Sequence, residues 1–596
     1  FLYFTHMEIT RLFDFLSYQR QVLARPDALN TKYNGEWKAT SSETFYQQAH
    51  QISSALLEMG VQSGDKIGMI SSNNRTEWCI VDMGVLQLGA INVPIYPTIT
   101  AKDYEYILNH SESLYCFVSD REVYEKLVAV QKNIKGLKGI FCFDEIEGCT
   151  HWSSLLEQGA KAKNQADVEK LKAAVKPEDL ATIIYTSGTT GVPKGVMLSH
   201  SNIVFNSLNT SIRLPLVKGK STALSFLPVC HIFERATLYV YYYFGVRIFF
   251  AESLETISDN LKETQPNIMT AVPRLLEKVY DKIYARGGEL DGIKQKLFYW
   301  AVNLGLQYQP YGQNGGWYEF KLKIARKLIF SKWKEALGGN LDLIASGSAP
   351  LQPRLAQVFT AAGITICEGY GLTETSPVIS MNEWKGGGYR IGTVGQVNKG
   401  VEVKIAEDGE ILCKGPNVMM GYYKDPEKTT EVMTENYFHT GDIGEIDSDG
   451  FLRITDRKKE MFKTSGGKYI APALIEGQMK QSLFIEQIMV VGEGQKMPAA
   501  LIQPNFEYIA EWLKENNIEC PSDDLQTICA NEQLRAEIQA DIDTHNENFS
   551  QWEQVKKFEL TPQVWSIEAG HLTPTMKLKR KVVKEKFKSF ISMIYN

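Results

Sequence analysis

The sequence predicts an α/β protein with a large layered N-terminal body and a small α+β domain after it, and three observations carry that expectation. At 596 residues the chain exceeds what one hydrophobic core organises, so two or more domains follow. Over residues 49–130, helix-like stretches alternate with short apolar runs at 66–71 and 114–118, the pattern of helices layered on a sheet. From 392 to 450 glycines recur, helical periodicity fades, and 401–405 and 410–413 read as antiparallel strands; an α+β pattern returns beyond Asp456.

The elements follow in order. Residues 160–180 are polar, helical in pattern, and end at Pro177 before an apolar strand carrying Ala181, Ile183, Ile184 and Tyr185. Val196, Met197 and Leu198 form a second strand, and Ser199, His200, Ser201 and Asn202 offer caps for a helix entered by Ile203, Val204 and Phe205. The most apolar run, 236–251, is shorter than the roughly 20 residues of a membrane helix. It contains Arg247 and reads as a buried strand or helix pair. Toward the C-terminus we expect a helix at 472–481, strands at 488–491 and 499–503, and a helix with Phe506, Ile509, Trp512 and Leu513 on one face. The domain boundary falls near 455–459, dividing 1–455 from 456–596, and no repeat or low-complexity tract interrupts the chain.

Composition narrows the class. The 44% hydrophobic and 22% charged content is that of a globular enzyme, and a formal charge of −6 gives no global reason to expect nucleic-acid binding. Nine scattered cysteines, with no C-x-x-C pair and no metal-site spacing with histidine, suit reduced thiols in a cytosolic compartment. The opening FLYFTHMEIT lacks the basic start and small-residue cleavage site of a signal peptide, and Met7 is a candidate start.

The chemistry enters at YTSGTTGVPKG, 185–195, where three glycines, four Ser/Thr hydroxyls and one lysine crowd together without an acid. Inward-turned backbone N–H groups beside Lys194 suit a polyphosphate. A kinase-type P-loop requires a Ser or Thr after its lysine and a helix starting there; here Gly195 follows and a strand comes next.

Three further segments, EGYGLTETSP at 368–377, YFHTGDIGEIDSDGFLRITDRKKEMFKTSGGKYIAP at 437–472 and LTPTMKLKR at 572–580, make the sequence resemble the adenylate-forming superfamily over about 30–590. LPVCHIFERA at 227–236, AVPRLLEKVYDKI at 271–283, IASGSAPL at 344–351 and the long insertion between the last two resemble its long-chain fatty acyl-CoA synthetases. The resemblance implies a large domain of α/β subdomains with a small β-barrel-like region, a small mobile C-terminal domain, and ATP, Mg2+ and coenzyme A acting on a long-chain fatty acid. Such an enzyme first makes an acyl-adenylate and pyrophosphate, with charge building at the α-phosphate, so positive groups must be arranged there in advance.

By the same resemblance, Thr186, Ser187, Gly188, Thr189, Thr190, Gly191 and Lys194 cradle the β- and γ-phosphates. Glu374 and Thr189 hold Mg2+, and Thr373 meets the α-phosphate. Tyr370 faces adenine against Gly347, Ser348 and Ala349, with Glu368, Gly369, Gly371 and Ile454 completing the pocket. Asp442, helped by Arg457, takes the ribose hydroxyls; Lys459 is the hinge. Lys577 reaches the α-phosphate and carboxylate during adenylation, and Lys463, Ser465 and Gly466 meet coenzyme A after the small domain turns. His231, Phe233 and Glu234 stand at the acyl pocket entrance, His231 gating or hydrogen-bonding there. The tail 577–588, seven basic residues and one acid, suits an anionic membrane surface, the phosphates of coenzyme A, or a charged helix face. The alternatives are an acyl-AMP ligase serving a carrier protein, which is expected to carry an extra insertion after the hinge region, and a non-catalytic descendant, which would have lost one of Lys194, Glu374, Asp442, Arg457 or Lys577.

Overall fold

The computed structural model describes residues 7–186, 192–384, 386–518, 520, 524–567, 569–573 and 576–595. Two large sheets build the N-terminal body. Short Val/Ile-rich runs at Lys66–Ile70, Ile91–Ile95 and Ser113–Val118 pair in parallel, and being covered on both faces they read as continuous apolar segments rather than alternating ones. They sit in an eight-stranded sheet that continues through Leu180–Thr186 and Lys194–Ser199 to Gly421–Tyr422. The Leu180–Thr186 and Lys194–Ser199 strands are antiparallel, with Thr186 opposite Lys194, so the glycine-rich loop joins two strands as its flanks predict. Residues 187–191, which include Ser187, Gly188, Thr189, Thr190 and Gly191, lie outside the described residues.

The expected cap is present: the Ser199 hydroxyl accepts from the Asn202 N–H and Asn202 returns the bond, starting the helix His200–Arg213. The apolar run at 236–251 resolves into one helix, Ile232–Phe244, and one strand, Arg247–Phe250, with Gly245 between them at φ 60°. That strand belongs to a nine-stranded sheet in which Ile268–Ala271, Leu343–Ser346 and Thr365–Gly371 are adjacent and parallel. The largest apolar cluster joins residues of both sheets to helices 12–22, 42–58 and 232–244.

The long insertion is helical, Gly292–Gly305, Gly316–Ala325 and Ser331–Ala336 with a π turn at Arg326–Phe330, and it buries Phe298, Tyr318, Leu322, Phe330 and Trp333 in a cluster of its own. A five-stranded antiparallel sheet, including Glu402–Ile405, Glu410–Lys414, Tyr437–Ile446 and Leu452–Arg457, stands where the barrel-like region is expected. Its last strand runs to Arg457, two residues into the segment assigned to the small domain. The small domain packs helices Pro472–Met479, Phe506–Glu515 and Glu532–Asn546 on strands Ile485–Val491, Ala499–Pro504 and Phe558–Leu560.

One expectation is corrected. Cys142 and Cys149 form a disulfide with Cα atoms 6.2 Å apart, because the chain folds back after the Gly139–Cys142 strand; Cys79, Cys116, Cys230, Cys367, Cys413 and Cys529 are free. Among the described residues no helix is long and apolar enough to cross a membrane.

Candidate functional site

A cleft of about 2300 Å³ runs between the body and the small domain and reaches into the body between two helices. Its floor is set by strand ends. Thr365–Gly371 turns at Leu372 into the short helical turn Thr373–Thr375 and returns as Val378–Met381, which places Tyr370, Thr373 and Glu374 on the cleft wall. Glycine is required in this turn: a Cβ on Gly371 would lie 1.7 Å from the Pro377 carbonyl oxygen. A Cβ on Gly347 would sit 3.4 Å from the Gly369 carbonyl and 3.5 Å from the Phe233 ring. The segments carrying 347–349, 369–371 and 231–237 therefore converge, with Ser348 at φ 71° in the turn after Leu343–Ser346. Burial pushes the Glu368 carboxyl up to about 8; it accepts from the Leu351 N–H.

Cross-strand register supplies the next pair. Asp442 stands opposite Arg457, whose Nε donates to Asp442 Oδ1 at 3.0 Å, while the Tyr370 hydroxyl donates to Oδ2 at 2.7 Å. Both carboxylate oxygens thus have fixed donors, and Ile454 lines the same wall.

Tyr422 is a residue the sequence reading missed. Its hydroxyl donates to Glu374 Oε1 at 2.9 Å, and its ring lies 5.3 Å from Lys194 Nζ. One side chain thus sets the distance between the candidate metal ligand and the candidate phosphate lysine. Lys194 makes no ion pair among the described residues; burial, with Lys428 and Lys459 repelling it, lowers its pKa.

From the small domain comes Lys577, held by a bond from its N–H to Thr573 Oγ1 at 3.0 Å and preceded by Met576 at φ 61°. Burial first, then repulsion by Arg457, pushes Lys577 down to about 8, against attraction by Asp442, Glu460 and Glu374. Lys577 thus lines the same cleft as Asp442 and Glu374 of the body. Lys459 follows the last body strand and lines the cleft, whereas Lys463, Ser465 and Gly466 are exposed on the small domain outside it. Gly467 in that turn has φ 75°.

A second bridge was not foreseen. Arg274, on the helix Pro273–Gly288, donates to Glu277 at 2.8 Å and forms an ion pair with Glu486 of the small domain. Burial opposes its charge, but Glu486 and Glu277 outweigh that and hold Arg274 above its usual range.

The inner arm of the cleft lies between His200–Arg213 and Ile232–Phe244. Asn206, Ser207, Thr210 and the following Leu214 line one side; Phe233, Ala236, Thr237 and Val240, spaced as one helical face, line the other. His231 Nδ1 accepts from the Phe233 N–H at 3.2 Å, which leaves its proton on Nε2. Burial, with Lys577 adding repulsion, pushes it down to about 3, so the ring is neutral at neutral pH. Glu234 is turned off this helical face and does not line the arm. It accepts 2.5 Å bonds from Ser225 and Thr270, and burial pushes it up to about 7. Beside it Arg235, fully buried, pairs with Asp82 at 2.6 Å and bonds Thr182 and Tyr239. The basic tail is engaged within its own domain: Arg580 pairs with Glu476, Lys584 with Glu493, and Val583 is buried.

Residues 18–423 match the family described as AMP-binding enzyme, and 460–596 match the AMP-binding enzyme C-terminal domain. The chain is 34% identical to the long-chain-fatty-acid–CoA ligase FadD15 of Mycobacterium bovis over 587 residues, covering 98% of this chain and 95% of the relative. It is 33% identical to the human long-chain-fatty-acid–CoA ligase 1, covering 92% and 82%. In fold it is similar to the anthranilate CoA ligase AuaEII solved with anthranoyl-AMP, at TM-score 0.72, 19% identity and 97% coverage of both chains. It is also similar to the adenylation domain of a Mycobacterium chelonae carboxylate reductase, at TM-score 0.74 and 21% identity, covering 98% of this chain and 91% of that one.

Proposed function

The chain belongs to the AMP-binding enzyme family, and from that premise we propose that it is a long-chain fatty acid–CoA ligase. It activates a fatty carboxylate with ATP and passes the acyl group to coenzyme A. The observation that carries this reading is one cleft lined by Lys577 of the small domain and by Glu374, Asp442 and Arg457, which continues into an arm walled by Phe233, Ala236 and Val240.

In the first half-reaction a carboxylate oxygen attacks the α-phosphorus and the bond to pyrophosphate breaks. Lys577 and Lys194 place positive charge around the phosphates, Asp442 takes the ribose hydroxyls, and Tyr370 supports adenine. No general base is needed because the acid is already ionised, which agrees with a neutral His231 that contributes a hydrogen bond from Nε2. Glu374 Oε2 accepts no hydrogen bond among the described residues. One hard carboxylate oxygen beside phosphate oxygens is a donor set that fits Mg2+, which supplies charge neutralisation when bound.

In the second half-reaction the coenzyme A thiolate attacks the acyl carbon and the bond to AMP breaks. Lys459 is the pivot, and Lys463, Ser465 and Gly466, exposed in this orientation, come to face the cleft. Carrier-protein transfer is the less favoured reading, since only sixteen positions separate Asp456 from Pro472 and leave no room for an extra insertion. The test is pyrophosphate release from ATP across fatty acids of increasing length, with and without coenzyme A. Turnover that rises with chain length and requires coenzyme A is expected; release stalling near one equivalent in both conditions refutes the proposal.

A further inference from the structure

The inserted helices hold an exposed face that the chemistry leaves unused. From Gly316 through the π turn to Ala336 the backbone stays helical, about 31 Å at 1.5 Å per residue. Tyr318, Leu322, Ala325, Phe330 and Trp333 point into the insertion's own core. On the other side Trp317, Phe320, Ile324 and Leu328 are exposed by 70%, 54%, 37% and 51%, spaced by three, four and four residues along one stripe. Scattered exposed apolar side chains are ordinary; an aligned stripe of four, with Trp317 and Phe320 stacked at 5.5 Å, is not.

Charge decides what this stripe fits. Residues 316–336 contain six basic and two acidic side chains. Arg326 is tied to the Ala361 carbonyl, and Lys332 and Lys334 to Glu335 and Asp342. Lys321, Lys323 and Lys327, which flank the stripe, form no ion pair among the described residues, and Lys321 Nζ lies 6.0 Å from the Trp317 ring. An apolar line edged by unpaired lysines complements an anionic lipid surface, where aromatic rings enter the headgroup boundary and ammonium groups meet phosphates. The place is apt as well: Gln309, in the connection leading into this helix, lines the catalytic cleft, as does Gln357, which bonds the Tyr308 carbonyl.

We infer that the Trp317–Leu328 face docks the protein on an anionic phospholipid bilayer, with the catalytic cleft opening beside the docked surface. This relocates the membrane contact from the basic tail, whose Arg580 and Lys584 are paired within the small domain. It deepens the fatty-acid reading, since that substrate partitions into bilayers, but its test reads binding without turnover.

The experiment is flotation of the full chain with phosphatidylcholine vesicles with and without phosphatidylglycerol, at low and high salt. Wild type is expected to float with the anionic vesicles and to be released by salt. Trp317→Glu with Phe320→Glu lowers partitioning by about tenfold or more. Lys321→Glu, Lys323→Glu and Lys327→Glu lower it by about fivefold for each lysine removed. Circular dichroism and turnover of a fatty acid supplied without vesicles stay at wild-type values; if the apolar variant misfolds, the lysine variants decide. The inference is overturned if wild type does not float, if the folded variants float as it does, or if they lose a self-association seen without vesicles, which would make the stripe a contact between copies. Flotation together with no fatty-acid turnover would refute the proposed function and leave the docking surface standing.

Discussion

Removing the charge of Glu486 isolates what the Arg274 bridge does. The pair spans the two bodies, and its side chains are only 14% and 23% exposed, so it is screened less than a surface pair. An exposed pair is worth about 0.2–1 kcal/mol, and breaking a fully buried one costs about 3–5. Arg274 keeps Glu277 at 2.8 Å when Glu486 is neutralised, so it is never left unpaired, and the loss falls near 1.5 kcal/mol, roughly tenfold in the population of this orientation. Glu486→Gln preserves shape and should therefore slow adenylation, read by pyrophosphate exchange, relative to acyl transfer from supplied acyl-adenylate, changing the ratio by about tenfold. A cycle with Arg274→Gln should show coupling of about 1 kcal/mol or more in that ratio. Equal changes in both half-reactions, or strict additivity of the two substitutions, would mean that the bridge is merely structural and the reasoning is wrong.

The remaining predictions concern single sites. Lys577→Ala should reduce adenylation by about a hundredfold or more while leaving transfer from supplied adenylate nearly intact; loss of both would remove the division of labour. Because burial pushes Lys577 down to about 8, its charge is expected below that pH and lost above it. The kcat/KM for adenylation should accordingly fall about tenfold per pH unit above the transition, and a limb that persists in an active Lys577→Arg enzyme would assign it elsewhere. Val240→Trp should block the inner arm, shifting preference to shorter acids by about tenfold or more per excluded methylene. An unchanged chain-length profile would place the acyl group in another channel. Arg235→Ala leaves the buried Asp82 without its counter-ion, held only by bonds from Tyr239 and Asn92, and urea unfolding should register a loss of about 3 kcal/mol; a stability change under 1 kcal/mol would contradict the burial.

Much of this architecture was legible because its signals are local. Strands flanking the glycine loop, the Ser199 cap and the helix with Ile509 and Leu513 on one face follow from turn chemistry and periodicity over a few residues. Glu234 shows where neighbourhood in sequence misleads. It adjoins Phe233, but a step of 100° along the helix turns it off that face, and only the 233, 236, 237, 240 spacing marks the arm. Tyr422 meets Glu374 across 48 positions and Arg274 meets Glu486 across the domain boundary; neither leaves a periodic trace. The Cys142–Cys149 pairing was equally silent, since a spacing of seven fits many loops and the fold-back alone brings the sulfurs together. For Tyr422, the GYYKDP segment at 421–426, with its adjacent aromatics, is the one signal that offered a hint.

The register that sets Asp442 against Arg457 has a kinematic consequence. The proposed pivot, Lys459, lies two residues beyond Arg457, within about 7–8 Å of chain. When a body rotates, points near its axis sweep short arcs and distant points sweep long ones. A nucleotide held by Asp442 would therefore sit almost at the still centre of the turn, while the loops bearing Lys577 and Lys463 travel at the rim. The small domain would exchange its two working faces over a cargo that barely moves, so a reactive anhydride need not be carried through water between the steps.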